Sequence, residues 1–423
     1  MKKPCSSAFR FPPSTFLLLC LATAAGCRPT SPVNAPSRPA PASPSKSPVA
    51  RPQSPVPSHA SPSPRPQSPI AASSAWPLFR GDAQATGVAH SALPERLNLL
   101  WTFSTANGGF ESTAAIVDGT VYIGSTDGKL YALNLQDGKK RWQFATPLGF
   151  VASAAVRDGR VYIGDSDGLF YCLEAATGKK LWTFQTDAEI DSSANFHGDH
   201  VLVGSQDSFL YCLQAATGKL VWKFQSADQI RCFPTVVGNL GFVAGCDGQL
   251  HVIDLADGKS PRAIKIDSPT GSSPAVLGGI VFVGTEGHTF FAIDPQRSKV
   301  LWCYENTEHG QAFRSSAAVT AGAVIVGSRD KQIHAFDPKS GRPLWNFATK
   351  SRVDGSPVVV GDRVYVGSGD GRLYELSVKT GKPFWQFEAG GAIVASAAVA
   401  DGRLVIGNDS GSLYCFGAKG KGR

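Results

Sequence analysis

The chain has 423 residues, 42% of them hydrophobic and 17% charged, which is enough apolar material for a large core and excludes a wholly disordered protein. Forty-five glycines, 29 prolines and a single methionine do not suit long helices, and an all-β protein is expected. The formal charge of +8 is accounted for by Lys2, Lys3, Arg10, Arg28, Arg38, Lys46, Arg51 and Arg65, in a stretch without acids; the neutral remainder offers no surface for tracking phosphates, so no nucleic-acid partner is expected.

Residues 1–27 read as an export signal: a basic start, then the apolar stretch Phe16 to Ala25, too short to span a bilayer, then Gly26-Cys27. Ala24, Ala25 and Gly26 before the cysteine resemble the bacterial lipobox, which implies a diacylglycerol anchor on Cys27; an ordinary secretory signal is the alternative. Residues 28–75 are Pro, Ser, Ala and a few Arg, too poor in large apolar side chains to offset the entropy of ordering, and are expected to form a disordered tether. In polyproline II, at about 3.1 Å per residue, such a chain reaches on the order of 100 Å.

From Trp76 onward the chain repeats with a period of about 40 residues. A Trp-x-aromatic pair marks the period at Trp101, Trp142, Trp182, Trp222, Trp302, Trp345 and Trp385; at the remaining position stands Arg262. Between markers come four short β-branched or aromatic runs bounded by Gly, Asp or Asn, the pattern of strands A to D joined by hairpins. Units of this size are blades of a β-propeller, and eight second strands, from Val121-Tyr-Ile123 to Leu404-Val-Ile406, predict eight blades over 76–423. Trp101 precedes the first complete set and the last set lacks a Trp strand, so residues 99–104 are expected to close the ring by pairing with the blade built from 394–416.

The tryptophans are expected to fill wedges between blades. Asp127-Gly128, Asp167-Gly168, Asp247-Gly248 and Asp370-Gly371 read as hairpin turns ahead of calcium ligands, and His197-Gly-Asp-His200 as a hairpin tip ahead of a zinc site; no metal or cofactor is expected. Cys172, Cys212 and Cys415 fall at core positions of third strands. Cys232 and Cys246 flank one A-to-B turn nearly symmetrically and are disulfide candidates, although that hairpin is one residue longer than its relatives and a bulge would turn the two side chains to opposite faces.

The string Leu-Tyr-Cys-Leu-x-Ala-Ala-Thr-Gly-Lys-x-x-Trp at Leu210 to Trp222, with a near copy at Phe170 to Trp182, resembles the pyrroloquinoline-quinone-type (PQQ-like) propeller repeat. That family holds quinone-dependent dehydrogenases and, separately, lipid-anchored eight-bladed propellers of the outer-membrane β-barrel assembly machinery. The dehydrogenases carry adjacent disulfide-linked cysteines and long insertions bearing calcium ligands; here no two cysteines are adjacent and the blades lack the insertions. In the assembly lipoproteins, partner contacts include a Leu-Arg pair and aspartates of the following blade; Ile230-Arg231 resembles the first element, whereas the next blade offers Ser268 to Gly271 without an aspartate.

Positions that vary among copies of one scaffold are free for function. The residue before each Ser-Ser-type strand start runs Glu111, Val151, Asp191, Arg231, Gly271, Arg314, Asp354, Val394, and its predecessor is nearly always apolar. Alternation turns the apolar set inward and the charged set towards the channel mouth. The reading is a non-enzymatic envelope lipoprotein, exported and anchored to the membrane through lipid, a monomer within a complex that docks a protein or peptide at Glu111, Asp191, Ile230, Arg231, Arg314 and Asp354, in the context of outer-membrane protein assembly. A quinone-dependent dehydrogenase or a periplasmic ligand-binding propeller is the alternative.

Overall fold

The computed structural model describes residues 74–419; Cys27 and most of the tether lie outside the described residues. The described chain is all-β: thirty-two strands pair into eight antiparallel four-stranded sheets. In the first blade, strands A to D are Ala115–Val117, Thr120–Gly124, Lys129–Asn134 and Lys140–Ala145. The three inner strands are buried almost throughout, whereas D alternates, with Trp142 and Phe144 turned inward and the residues between them exposed. Blades covered on both faces by neighbours require this composition.

The ring closes as the repeat predicts. Asn98–Ser104 is strand D of the eighth blade, antiparallel to Ser412–Gly417, with Trp101 opposite Cys415 and Phe103 opposite Leu413. A ring joined in this way leaves no bare blade face at the ends of the chain.

Each marker tryptophan fills a wedge, and all but Trp385 also fix the turn of the following blade. Trp182 Nε1 donates to the Ala215 carbonyl at 3.1 Å, and Trp142 Nε1 to Ala175 at 3.0 Å. Above every one of these rings but Trp385 lies the glycine of the next C-to-D turn: a Cβ on Gly218 would meet Trp182 at 2.5 Å, and one on Gly138 would meet Trp101 at 2.7 Å. Those glycines therefore answer two demands, positive φ and close approach of backbone to an indole.

At Arg262 the close approach lapses, while the facing turn keeps its positive φ. Strand D of the fourth blade is short, Arg262–Lys265, without the bulge that its relatives carry, and Arg262 is exposed. The corresponding turn position in the next blade is Ser298, at φ +49°, with no indole beneath it. A second pair covaries in the same way. The apolar residue that precedes each mouth residue presses on a glycine ending strand B of the blade before: Phe150 on Gly124, Ile190 on Gly164, Val353 on Gly327. In the fourth blade that glycine is Ala244 and the pressing residue shrinks to Thr270. Both exceptions fall at the junction of the fourth and fifth blades.

Candidate functional site

The eight variable positions converge. Glu111, Val151, Asp191, Arg231, Gly271, Arg314, Asp354 and Val394 all line one cavity of about 280 Å³ at the centre of the ring. Below them runs a tier of hydroxyls, Thr113, Ser153, Ser193, Ser273, Ser316, Ser356 and Ser396, interrupted by Phe233. Each hydroxyl tier member is tied to its neighbour: the N–H of Thr113 donates to Ser153 Oγ, Ser153 to Ser193, Phe233 to Ser273, Ser273 to Ser316, Ser316 to Ser356 and Ser356 to Ser396, at 2.9–3.1 Å. The buried N–H groups where the innermost strands begin are thus satisfied blade to blade.

Phe79 forms part of the cavity's base, packed against Phe233 with ring centroids 5.9 Å apart. It belongs to a segment that the repeat did not foreshadow. Residues 76–91 travel around the inner edges of the blades and bond to each in order. Trp76 pairs both ways with Ile116; the carbonyl of Pro77 accepts from Val156 N–H, and that of Ala83 from Asn195 Nδ2 and Val236 N–H. Gln84, Thr86 and Gly87 accept from Val276, Val319 and Val359, and Ser91 Oγ accepts from Gly402 N–H. This strap obstructs the channel below the cavity, so the mouth is the entrance of a blind funnel. Ser74, the first of the described residues, donates its hydroxyl to Asp401.

Arg80 anchors the strap. It is fully buried, and its Nη2 donates to the carbonyls of Ala317 and Pro357 at 3.1 and 2.5 Å. Gly87 is required beside it, since a Cβ there would collide with the guanidinium. Burial pulls the Arg80 pKa down to about 9, only partly countered by Asp82. Its Nε and Nη1 find no protein acceptor.

The charges of the mouth are largely matched in place. Arg231 donates through Nε and Nη2 to Asp191 at 3.0 and 2.7 Å; partial burial opposes its charge, but the Asp191 bonds outweigh that and raise its pKa. Asp354 is gripped by Arg329 at 2.8 Å and Arg352 at 2.9 Å, and Arg314 Nε lies 2.6 Å from Glu286. Glu111 has no ion-pair partner among the described residues. Arg329 and Glu286 were not singled out from sequence, because they enter from B-to-C loops whose offset from the mouth positions the repeat does not reveal; Arg352 lies on the same D-to-A connection as Asp354, two residues before it.

Ile230 does not belong to the exposed surface. It is fully buried and presses on Gly204, the same wedge contact as its counterparts, so Arg231 alone of that pair reaches the mouth. The proposed Cys232–Cys246 bond is also not formed: both are free thiols. The hairpin pairs Thr235 with Phe242 and Val237 with Leu240, a register that sets Cys232 opposite Gly245 and turns Cys246 towards the other face. Burial pushes the Cys232 thiol up to about 12 and those of Cys172 and Cys415 up to about 11. His197 and His200 pair across a hairpin tip. Among the described residues no three His, Cys, Asp or Glu side chains gather as metal ligands.

These features define a class: an eight-bladed propeller with one blind, charged funnel. The chain belongs to the family described as outer membrane protein assembly factor BamB, whose model matches residues 92–208, 206–324 and 306–421. No curated protein sequence matches the chain significantly. Among solved structures it is similar to BamB from Moraxella catarrhalis, at 20% identity and a TM-score of 0.65, covering 78% of this chain and 99% of that one. The quinohemoprotein alcohol dehydrogenase from Comamonas testosteroni is similar at 16% identity and a TM-score of 0.68, covering 84% and 82%, and the computationally designed Ika8 protein at 16% and 0.68, covering 76% and 99%. Likeness at these identities speaks to fold alone.

Proposed function

We propose that the protein is a non-enzymatic scaffold of the bacterial cell envelope that docks a protein partner at the funnel mouth, in the assembly of outer-membrane proteins. The observation that carries this reading is the contrast between copies: where the blades agree they answer packing demands, and where they differ they converge on one mouth whose acids and arginines come from different blades. Family membership supports the envelope setting and the assembly role. In this reading residues 1–27 export the chain, Cys27 carries the lipid, residues 28–75 tether the propeller, and it acts as a monomer within a complex.

The test is affinity purification from detergent-solubilised envelope, with mass spectrometry of the co-purifying proteins and of Cys27. Charge reversal of Arg231 together with Arg314 should release the partner, since truncating a buried docking arginine commonly costs about 2 kcal/mol or more. Half-exposed ion pairs contribute little to folding, so the melting temperature should hardly move. Retention of every partner by the double variant would reject the mouth as the docking surface.

A further inference from the structure

Resting on that reading, we infer that the funnel is a carboxylate site, shaped to take the free carboxyl end of a partner chain. Three observations carry this. The first is the polarity of the hydroxyl tier. A serine hydroxyl has one proton and an oxygen that accepts; in Ser273, Ser316 and Ser356 the oxygen already accepts a backbone N–H from the neighbouring blade, and the proton has no acceptor among the described residues. Each of these side chains is more than nine-tenths buried and lines the cavity. What remains is a set of O–H donors turned to the cavity and open to an acceptor-rich occupant.

The second observation is the charge above the tier. Arg231 and Arg314 stand on either side of Gly271, which leaves a gap between them. Arg231 is held through Nε and Nη2 and Arg314 through Nε, so Nη1 of Arg231 and the outer nitrogens of Arg314 are left for a further acceptor. Planar guanidinium donors over hydroxyls suit a carboxylate. Asp191 and Asp354, which also line the cavity, are each engaged by arginine, whereas Glu111, across the ring, is not. The unpaired Glu111 disfavours a ligand negative along its length and restricts the negative group to the arginine side.

The third observation is the strap. A chain cannot pass through a channel obstructed below the cavity, and about 280 Å³ holds only a residue or two. An occupant must enter and stop there, as a chain terminus or a small molecule does and a continuous loop does not.

The probes are acetyl-tetraalanine as the free acid, the same peptide as its carboxamide, and acetate alone, titrated by ligand-observed NMR against the intact propeller. The free acid should bind about tenfold or more tightly than the amide, the difference a charge-assisted hydrogen-bond set makes. A chain end as the source makes the peptide acid at least tenfold tighter than acetate; equal affinity for the two identifies a free small carboxylate instead. Gly271→Asp places a carboxylate of the protein's own in the gap and should abolish binding of the acid, while Gly271→Asn, which adds the same volume without the charge, should weaken it distinctly less. Position 271 tolerates both, because a Cβ there meets only Arg231 Cβ, at 3.9 Å. Equal binding of acid and amide, absence of binding by either at millimolar concentration, or full binding by Gly271→Asp overturns the inference. Partner release by the Arg231 and Arg314 reversals alongside such a result would sink the carboxylate site and leave the docking reading standing.

Discussion

Gly218→Ala isolates the wedge that sets the blades against one another. Gly218 sits at φ +72°, where alanine is strained by roughly 1 kcal/mol or somewhat more. Its new Cβ would also lie 2.5 Å from Trp182 Cε3, so either the turn or the indole must shift. Displacing a packed ring typically costs 1–3 kcal/mol, and the Trp182 bond to Ala215, worth about 1 kcal/mol, moves with it. The total expected is about 3–5 kcal/mol. Gly278→Ala is the control, because Gly278 has φ +59° but nothing within 4 Å of its Cβ; only the backbone part, about 1 kcal/mol, should appear. Equilibrium urea unfolding of both variants, followed by tryptophan fluorescence and by circular dichroism, measures the difference. If Gly218→Ala costs no more than Gly278→Ala, the indole does not dictate the turn glycine and the argument for the Arg262 and Ser298 pairing falls with it.

That pairing makes a separate prediction: Arg262→Trp alone should gain nothing, because Ser298 carries a Cβ where the indole would lie, whereas Arg262→Trp with Ser298→Gly should be more stable than the sum of the single changes by about 1 kcal/mol in a double-mutant cycle. Additive single effects would refute it. The B-to-C turns predict an acid-sensitive element: burial of Asp330 acts to raise its pKa, but bonds from His334 at 2.8 Å, Asn306 at 2.7 Å and the Gln332 N–H outweigh this and lower it. A lowered folded pKa means stability fully present above the ordinary aspartate range, near pH 4, and lost as pH falls through the folded value, so the destabilisation caused by Asp330→Asn should shrink on acidification; a penalty unchanged between pH 6 and pH 3 counts against it.

The repeat made the blades legible because each copy restates the same packing demands, so strand order, the closing of the ring by residues 99–104 and the inward face of the tryptophans could all be read from spacing. The mouth was legible for the opposite reason, as the set of positions on which the copies disagree. Ile230 was misassigned because a contact borrowed from relatives competed with the repeat's own evidence: its counterparts Phe150, Ile190 and Ile393 are wedge residues, and so is it. The cysteine pair failed by a single step of register, which near-symmetry about a turn cannot resolve. The strap left no trace because its bonds run mostly through main-chain carbonyls of Pro77, Ala83, Gln84, Thr86 and Gly87, which any sequence possesses. Among its side-chain marks are Arg80 and Ser91, and beside them the glycines at 81 and 87, which look like an ordinary loop until Trp76 and the guanidinium are seen against them.

The two departures from the repeat and the gap in the mouth fall in the same place. At the junction of the fourth and fifth blades the wedge tryptophan becomes Arg262, its seat becomes Ser298, and the glycine under the pressing residue becomes Ala244 with Thr270 above it. Thr270 bonds to the Gly284 carbonyl at 2.7 Å and so replaces apolar pressure with a hydrogen bond immediately before Gly271. A residue there without a side chain opens the space between Arg231 and Arg314. The strap, meanwhile, touches every blade and then continues into the strand that closes the ring, so the base of the funnel and the closure of the propeller are held by one covalent segment. A site assembled from eight blades keeps its geometry only if the blades cannot breathe independently. A strap bonded to all of them, leading into the closing strand, meets that condition, and the mouth can then vary in charge from blade to blade without the ring losing its shape.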